Sequence, residues 1–417
     1  MTLLLLALSA APARAGEAAR RWDLAAASAR VLEDGVDVRE AALLREAGDA
    51  RVRQRRRAGL PSVDLQATLG GGVAEGDAPL RPGVTGTLEG VVALPLYAGG
   101  AIRAGRDEAQ ADASSLRAAE EAARQAAVLA VAEVLLDHAE ATARAESADA
   151  VRAAEAGLEA RLEAAVANGA RNRADLLLQR AARQRAEADA VDARRAVGQA
   201  RLAIAALLRL PPDTPLEVVA PEAGPEVEGD PTALVARARA SHPALRAAVA
   251  AREARDAAWV AAHATGRPRL DLRLSGGTGV AGADPTPTGP TAGARVVLAA
   301  PLATRGAAEA ATDLARVARD QAALSEAWAS ESVALGVHRA LLDRDAADAR
   351  RQAADARAEA AAAAAEVAQA RVEGGAGLIV ELLTARAELA NAQLARASAR
   401  VEAVRARYVL AAALGAL

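Results

Sequence analysis

The chain carries its own sequence twice, and this duplication constrains the fold more than any other feature. Gly59 to Leu65 (GLPSVDL) recurs as Gly266 to Leu272 (GRPRLDL), with Pro61 and Pro268 standing 207 residues apart. Val91 to Leu96 recurs as Val297 to Leu302, with Pro95 and Pro301 offset by 206. Gly169 with Asp175-Leu176-Leu177 recurs as Gly375 with Glu381-Leu382-Leu383, again at 206. From Pro95 to Gly169 and from Pro301 to Gly375 the interval is 74 residues in both halves. Two long helices of equal length are the simplest structure that would hold that interval constant.

Within each half the periodicity changes along the chain. Val63, Leu65, Ala67 and Leu69 alternate with Asp64, Gln66, Thr68 and Gly70, a period of two that predicts a half-exposed strand. Leu270, Leu272 and Leu274 alternate in the same way with Arg269, Asp271, Arg273 and Ser275. Gly/Pro-rich turns near 75–83 and 279–290 predict a return strand after each. Strands are therefore expected at about 61–74 and 84–96, and at about 268–279 and 290–302. The segments that follow carry no Pro and few Gly, and Leu or Val recurs at three- and four-residue steps, as in Leu158-Leu162-Val166. Helices are expected at about 101–168 and 172–209, and at about 307–373 and 378–413, with tight turns at Asn168-Gly169 and Gly374-Gly375. Residues 16–209 then form a first repeat and 232–417 a second, and the Pro- and acid-rich stretch 210–231 reads as their linker.

Composition narrows the function classes. Hydrophobic residues make up 52% of the chain, yet aromatics are 1% and Phe is absent, so few large side chains are available for a wide globular core. Much of the apolar share is Ala, which favours helix and lets helices approach closely. The basic residues are all Arg, and acids offset them to a net charge of −3, which gives no reason to expect nucleic-acid binding. Without Cys there is no disulfide framework and no thiolate metal site. The apolar run Leu3 to Leu8, followed by Ala13-Arg14-Ala15, predicts a secretory signal peptide over residues 1–15. No later stretch is apolar enough for a membrane-spanning helix, so a membrane crossing would have to be made of strands. His138, His242, His263 and His338 lie far apart without ligand spacing, and no phosphate loop, nucleophile elbow or paired-carboxylate cleft is visible. No catalytic residue, metal or cofactor is therefore expected.

Four amphipathic strands cannot close a barrel, and an open sheet edge is not tolerated in lipid. Pooling strands from several copies solves the problem, and three copies would supply twelve. The order of these features resembles the TolC-like family of outer-membrane efflux and secretion channels. The best stretch is Arg371 to Leu417, with Arg371-Val372-Glu373-Gly374-Gly375, Ile379-Val380-Glu381-Leu382-Leu383 and the terminal Leu414-Gly415-Ala416-Leu417. Ser241-His242-Pro243-Ala244-Leu245 also looks like the family's opening of a repeat.

The resemblance implies a mainly α protein with a β-barrel part: a homotrimer whose twelve-stranded outer-membrane barrel is continued by a periplasmic α-helical barrel. It implies contact with outer-membrane lipid, and docking through the helical tips to a periplasmic adaptor and an inner-membrane efflux or secretion pump. Carried over by position, Glu381 and Asp175 fall where gate acids lie, next to the turn glycines Gly169 and Gly375, and Thr384 occupies a second position that is acidic in the best-known member of the family. Val372 and Gly377 replace polar tip-linking residues. Arg171, Arg173, Gly377 and Leu378 are the candidate adaptor contacts. Asp64, Gln66, Glu89, Asp271, Arg273 and Arg295 are the candidate lumen-facing residues of the barrel. Each site has a plainer reading: an acid after a turn favours a helix N-terminus, and polar strand residues simply avoid lipid. An Ala-rich coiled-coil scaffold, or a membrane-fusion adaptor, is the alternative. The scaffold leaves the four alternating strands unexplained, and an adaptor should show one helical hairpin rather than two.

Overall fold

The computed structural model describes residues 20–74, 81–282, 286–301, 306–374 and 376–417. The expected signal peptide (1–15), Leu302 and Gly375 lie outside the described residues. In chain order the elements are β1 (Arg20–Trp22), α1 (Leu24–Asp34), α2 (Val36–Arg57), β2 (Ser62–Ala74), β3 (Arg81–Tyr97), α3 (Ala101–Ala167) and α4 (Arg173–Leu207). There follow β4 (Leu216–Val218), α5 (Pro231–Ser241), α6 (Pro243–Ala264), β5 (Arg269–Gly282), β6 (Thr286–Ala299), α7 (Ala307–Glu373) and α8 (Ile379–Ala413).

The duplication extends further than the sequence motifs do. α3 and α7 are each 67 residues long, and α4 and α8 are each 35. Ahead of each β-hairpin stands a helix pair of 11 and 22 residues, α1–α2 and α5–α6. Both pairs break after the eleventh residue, by different means. At the first break Gly35 is extended and donates its N–H to Val31 O at 2.8 Å. At the second, His242 caps α6 by accepting the Ala244 N–H on Nδ1 at 3.2 Å, with Pro243 as the first helical residue. Burial depresses the His242 pKa, which favours the unprotonated nitrogen that this cap requires.

One compact unit comprises the residues up to Arg39, Ala123–Ala240 and Ala334–Leu417. The 210–231 segment, expected as a plain linker, belongs to it and contains β4, which pairs in parallel with β1. Trp22, 2% exposed, anchors a core cluster with Ala27, Val31, Val131, Leu135, Ile204 and Leu208. Elsewhere in this unit helices meet on small residues, as where Ala358, Ala361 and Ala392 join α7 to α8. With no side chain beyond Cβ at the contact, neighbouring helices can pack closely, and this is where the Ala-rich composition is used.

The other unit comprises Glu40–Ala122 and Ser241–Val333 and contains an antiparallel sheet of order β2-β3-β5-β6. Ion pairs join its helices: Arg45 to Glu120 at 2.7 Å, Arg117 to Asp49 at 2.6 Å and Arg252 to Glu326 at 2.6 Å. Parts of the stretches expected as turns over 75–83 and 279–290 are strand, because β3 begins at Arg81, β5 runs on to Gly282 and β6 begins at Thr286, while 75–80 and 283–285 lie outside the described residues. Gly/Pro content misplaced these boundaries because each proline sits where only one neighbour needs pairing. Pro82 pairs with β2 before β5 begins to pair, Pro95 pairs with β5 after β2 has ended, and Pro287 lies on the edge strand β6.

Candidate functional site

Two places could act on a solute: the sheet and the helical tips. In the sheet, directly opposed residues share a face. The register pairs Val63 with Val92, Ala67 with Leu88, Leu94 with Leu272, and Leu272 with Val296, so one face is apolar across all four strands. That face is bare in the chain alone: Val63, Leu65 and Leu69 are 76–82% exposed and Leu298 is 68% exposed. On the opposite face Gln66 lies opposite Glu89, Asp64 opposite Val91, Ala93 opposite Arg273, and Arg273 opposite Arg295. Asp271, two residues before Arg273, shares this face. All six candidate lumen residues thus fall on one side, with Asp64, Gln66 and Glu89 in the first hairpin and Asp271 and the two paired arginines in the second. Like charges directly opposed on a sheet cost stability unless water or counter-ions screen them, so the Arg273–Arg295 pair marks a wet face. Both edge strands, β2 and β6, have one partner only among the described residues.

At the first tip α3 ends in a Schellman motif. Gly169 takes φ +74°, Ala170 N–H donates to Ala165 O at 2.8 Å, and Gly169 N–H donates to Val166 O at 3.1 Å. Asn172 then caps α4 through the Ala174 N–H, and Asp175 lies half-buried in the first turn, where a negative charge suits the helix N-terminus. At the second tip the N–H groups of Ala376 and Gly377 both donate to Arg371 O at 2.9 Å. A Cβ on Gly377 would stand 2.8 Å from the Val372 nitrogen, so this turn closes only around glycine. Gly377 is buried in its own turn. Arg173 and Leu378 are exposed, while Arg171 is half-buried with its guanidinium 3.5 Å from Gly377 O.

The turns are held over a small apolar cluster in which the two repeats meet: Leu158, Leu162, Leu176, Ile379 and Leu382. Above it the two acids differ. Glu381 stands 3.5 Å from Arg371, whereas the residue 206 positions before Arg371 is Ala165, so Asp175 has no equivalent cation. Thr384 is turned onto its own helix, donating its hydroxyl to Val380 O at 2.8 Å, and contributes no acidic charge.

The sequence reading missed a polar ladder inside the first hairpin. Gln179, fully buried, donates from Nε2 to Glu155 O at 2.9 Å and to Glu155 Oε2 at 2.5 Å. Glu159 accepts from Arg183 at 2.9 Å and from Arg180 at 3.1 Å, and Arg180 also reaches Glu163 at 2.6 Å. The hydrogen bond from Arg183 is the largest influence holding the Glu159 carboxyl below its ordinary pKa. At the matching positions of the second repeat stand Ala361, Ala385 and Ala365, and only the Arg386–Gln369 contact, at 3.3 Å, survives. Aligning the two halves position by position would have exposed the ladder, because Glu155 and Glu159 face alanines at a constant offset and Glu163 faces Gln369. Among the described residues no group of His, Cys, Asp or Glu could hold a metal ion, and no helix is long and apolar enough to cross a membrane.

Comparison with known proteins agrees with this geometry. The model of the outer membrane efflux protein family matches residues 19–208 and 234–416, one span per repeat. A membrane protein from Pseudomonas aeruginosa has a similar fold, with TM-score 0.82 and 22% identity over 94% of this chain and 93% of that one. The outer membrane protein VceC of Vibrio cholerae is similar at TM-score 0.81 and 19% identity, covering 94% and 96%. The MtrE outer membrane channel of Neisseria gonorrhoeae, in its open state, is similar at TM-score 0.79 and 22% identity, covering 94% and 88%. No curated protein matches the chain by sequence.

Proposed function

Since the chain belongs to the outer membrane efflux protein family, we propose that three copies assemble into a passive duct that a separate pump supplies with energy and cargo. The protein is an efflux channel of the outer membrane reaching into the periplasm, and it is not an enzyme. The observation that carries the oligomer is the four-stranded sheet, apolar on one exposed face and polar on the other, with both edges open. Such a sheet is stable in lipid only when its edges are closed by further strands, and three copies bring the total to twelve. A second support lies on α7, where Leu314, Val317, Leu324, Trp328, Leu335 and Leu342 are 46–74% exposed at steps of three, four and seven. That spacing is the seam of a coiled coil, and a neighbouring copy is the surface that would cover it.

In this reading the polar sheet face lines the lumen, and the tips meet a periplasmic adaptor and an inner-membrane transporter through Arg173 and Leu378. Recovery of the full chain from outer membranes as a heat-modifiable trimer is the expected result. Recovery in the soluble fraction would sink the duct. The tips also form the gate, with Glu381 balanced by Arg371. Glu381→Ala is then expected to weaken block of single channels by multivalent cations in planar bilayers, and Arg371→Ala to strengthen it, each several-fold. The exposed pair itself contributes about 0–1 kcal/mol to stability, so neither variant should unfold. Equal block in both variants would remove this pair from the gate.

A further inference from the structure

We propose that the C-terminal end of α2 is a docking surface for anionic phospholipid headgroups of the periplasmic leaflet of the outer membrane. This rests on the channel reading, which places the helix-side ends of the strands at that leaflet. Five of the seven residues 51–57 are arginines: Arg51, Arg53, Arg55, Arg56 and Arg57. All five are exposed, and none forms an ion pair with a carboxylate among the described residues. They encircle the last two turns of α2, and Arg57 precedes the first residue of β2 by only five positions. The exposed apolar face of the sheet begins directly beyond, at Val63. A ring of fixed positive charge therefore stands where the apolar band ends, at the depth of lipid phosphates.

A purely structural role does not account for five cations. Basic residues favour a helix C-terminus, but that influence fades within the last turn, and Arg51 and Arg53 lie before it. The Arg56 carbonyl already accepts from Arg106 Nη2 at 3.0 Å. Glu108 and Asp112 on α3 share a groove of about 450 Å³ with Arg51 and Arg55, which still leaves an excess of positive charge. The second repeat reaches the same depth by other means: the residues 207 positions on are Ala258 to Ala264, and they include Trp259 and His263. The Trp259 ring lies under the Arg319 guanidinium at 4.7 Å and edge-on to His263 at 4.8 Å. That ring is packed against its neighbours rather than exposed, so the basic cluster is particular to the first half.

The test is lipid retention by the full chain, extracted from vesicles and weighed by native mass spectrometry. From vesicles of phosphatidylethanolamine with added phosphatidylglycerol, the protein should retain phosphatidylglycerol in excess over its bulk fraction. The triple variant Arg53→Gln/Arg56→Gln/Arg57→Gln should lose that excess by roughly tenfold or more, and the same positions changed to Lys should keep most of it. The unaltered chain in vesicles without phosphatidylglycerol supplies a comparison that depends on no variant folding. Equal retention by the Gln and unaltered proteins would overturn the proposal. So would displacement of the lipid by inorganic phosphate at physiological salt, which would reassign the arginines to a soluble anion. Loss of the trimer in every protein, unaltered included, would instead count against the channel reading.

Discussion

Leu69→Arg is expected to remove the chain from the outer membrane, while Thr68→Arg, one residue away, leaves it there. Leu69 is 82% exposed on the apolar face of β2 and lies opposite Gly86, so no side chain across the strand can shelter a charge. It is the eighth of the thirteen residues of β2, close to the middle of the membrane-crossing stretch. An arginine facing lipid at that depth costs about 2–4 kcal/mol, and a trimer would bear it three times. Thr68 lies opposite Thr87 on the polar face, where an added arginine meets water. The pair therefore reads which face is lipid-facing rather than whether strand β2 tolerates substitution. The measurement is the amount of heat-modifiable oligomer in purified outer membranes. Equal loss in both variants would mean that the sheet is not sided, and equal survival would mean that it does not lie in lipid.

Leu382→Ala is expected to loosen the tips without unfolding the molecule. Leu382 is 2% exposed and clusters with Leu158, Leu162, Leu176 and Ile379, and with Ala368 and Val372 of α7 packed against them the cluster draws on all four long helices. Truncating a buried leucine costs about 2–5 kcal/mol, the larger values applying where neighbours cannot collapse into the space. Here the neighbours are held by helix turns on both sides, so the cavity should persist. The loss is local because the Trp22 cluster is built from other residues. Amide exchange should accelerate at the ends of α3 and α7 and the starts of α4 and α8, and basal conductance in planar bilayers should rise. Leu178→Ala, at a position 52% exposed on α4, should change stability by no more than about 0.5 kcal/mol. Unchanged exchange at the tips in Leu382→Ala would show that this cluster does not hold them.

The Glu155–Gln179 and Glu159–Arg183 contacts show why the tip region was only partly legible. Their residue types look like an ordinary solvated helix face, and only the packing of α3 on α4 turns them inward. Arg371 near Glu381 was equally hidden, because ten residues and a turn separate them in sequence. α2 went unread for a different reason. Its last turns are so dense in arginine that no apolar period remains, and α6 is so dense in alanine that every face looks alike. That the polar strand residues share one face was legible because a strand has only two faces: once Leu65 faces one side, Gln66 must face the other.

The duplication, the order of strands and long helices in each half, the turn glycine at 169, the sidedness of the sheet and the family are all written locally along the chain. Those follow from period, spacing and backbone rules that act within a few residues or repeat at a fixed offset. Packing between distant segments brought a strand of 210–231 against β1, buried Gly377 in its turn and set Arg371 3.5 Å from Glu381. It also decided that the first hairpin carries a buried polar ladder where the second has alanine. Each of these depends on groups brought together from distant parts of the chain, and burial and charge pairing are properties of that meeting rather than of any local segment.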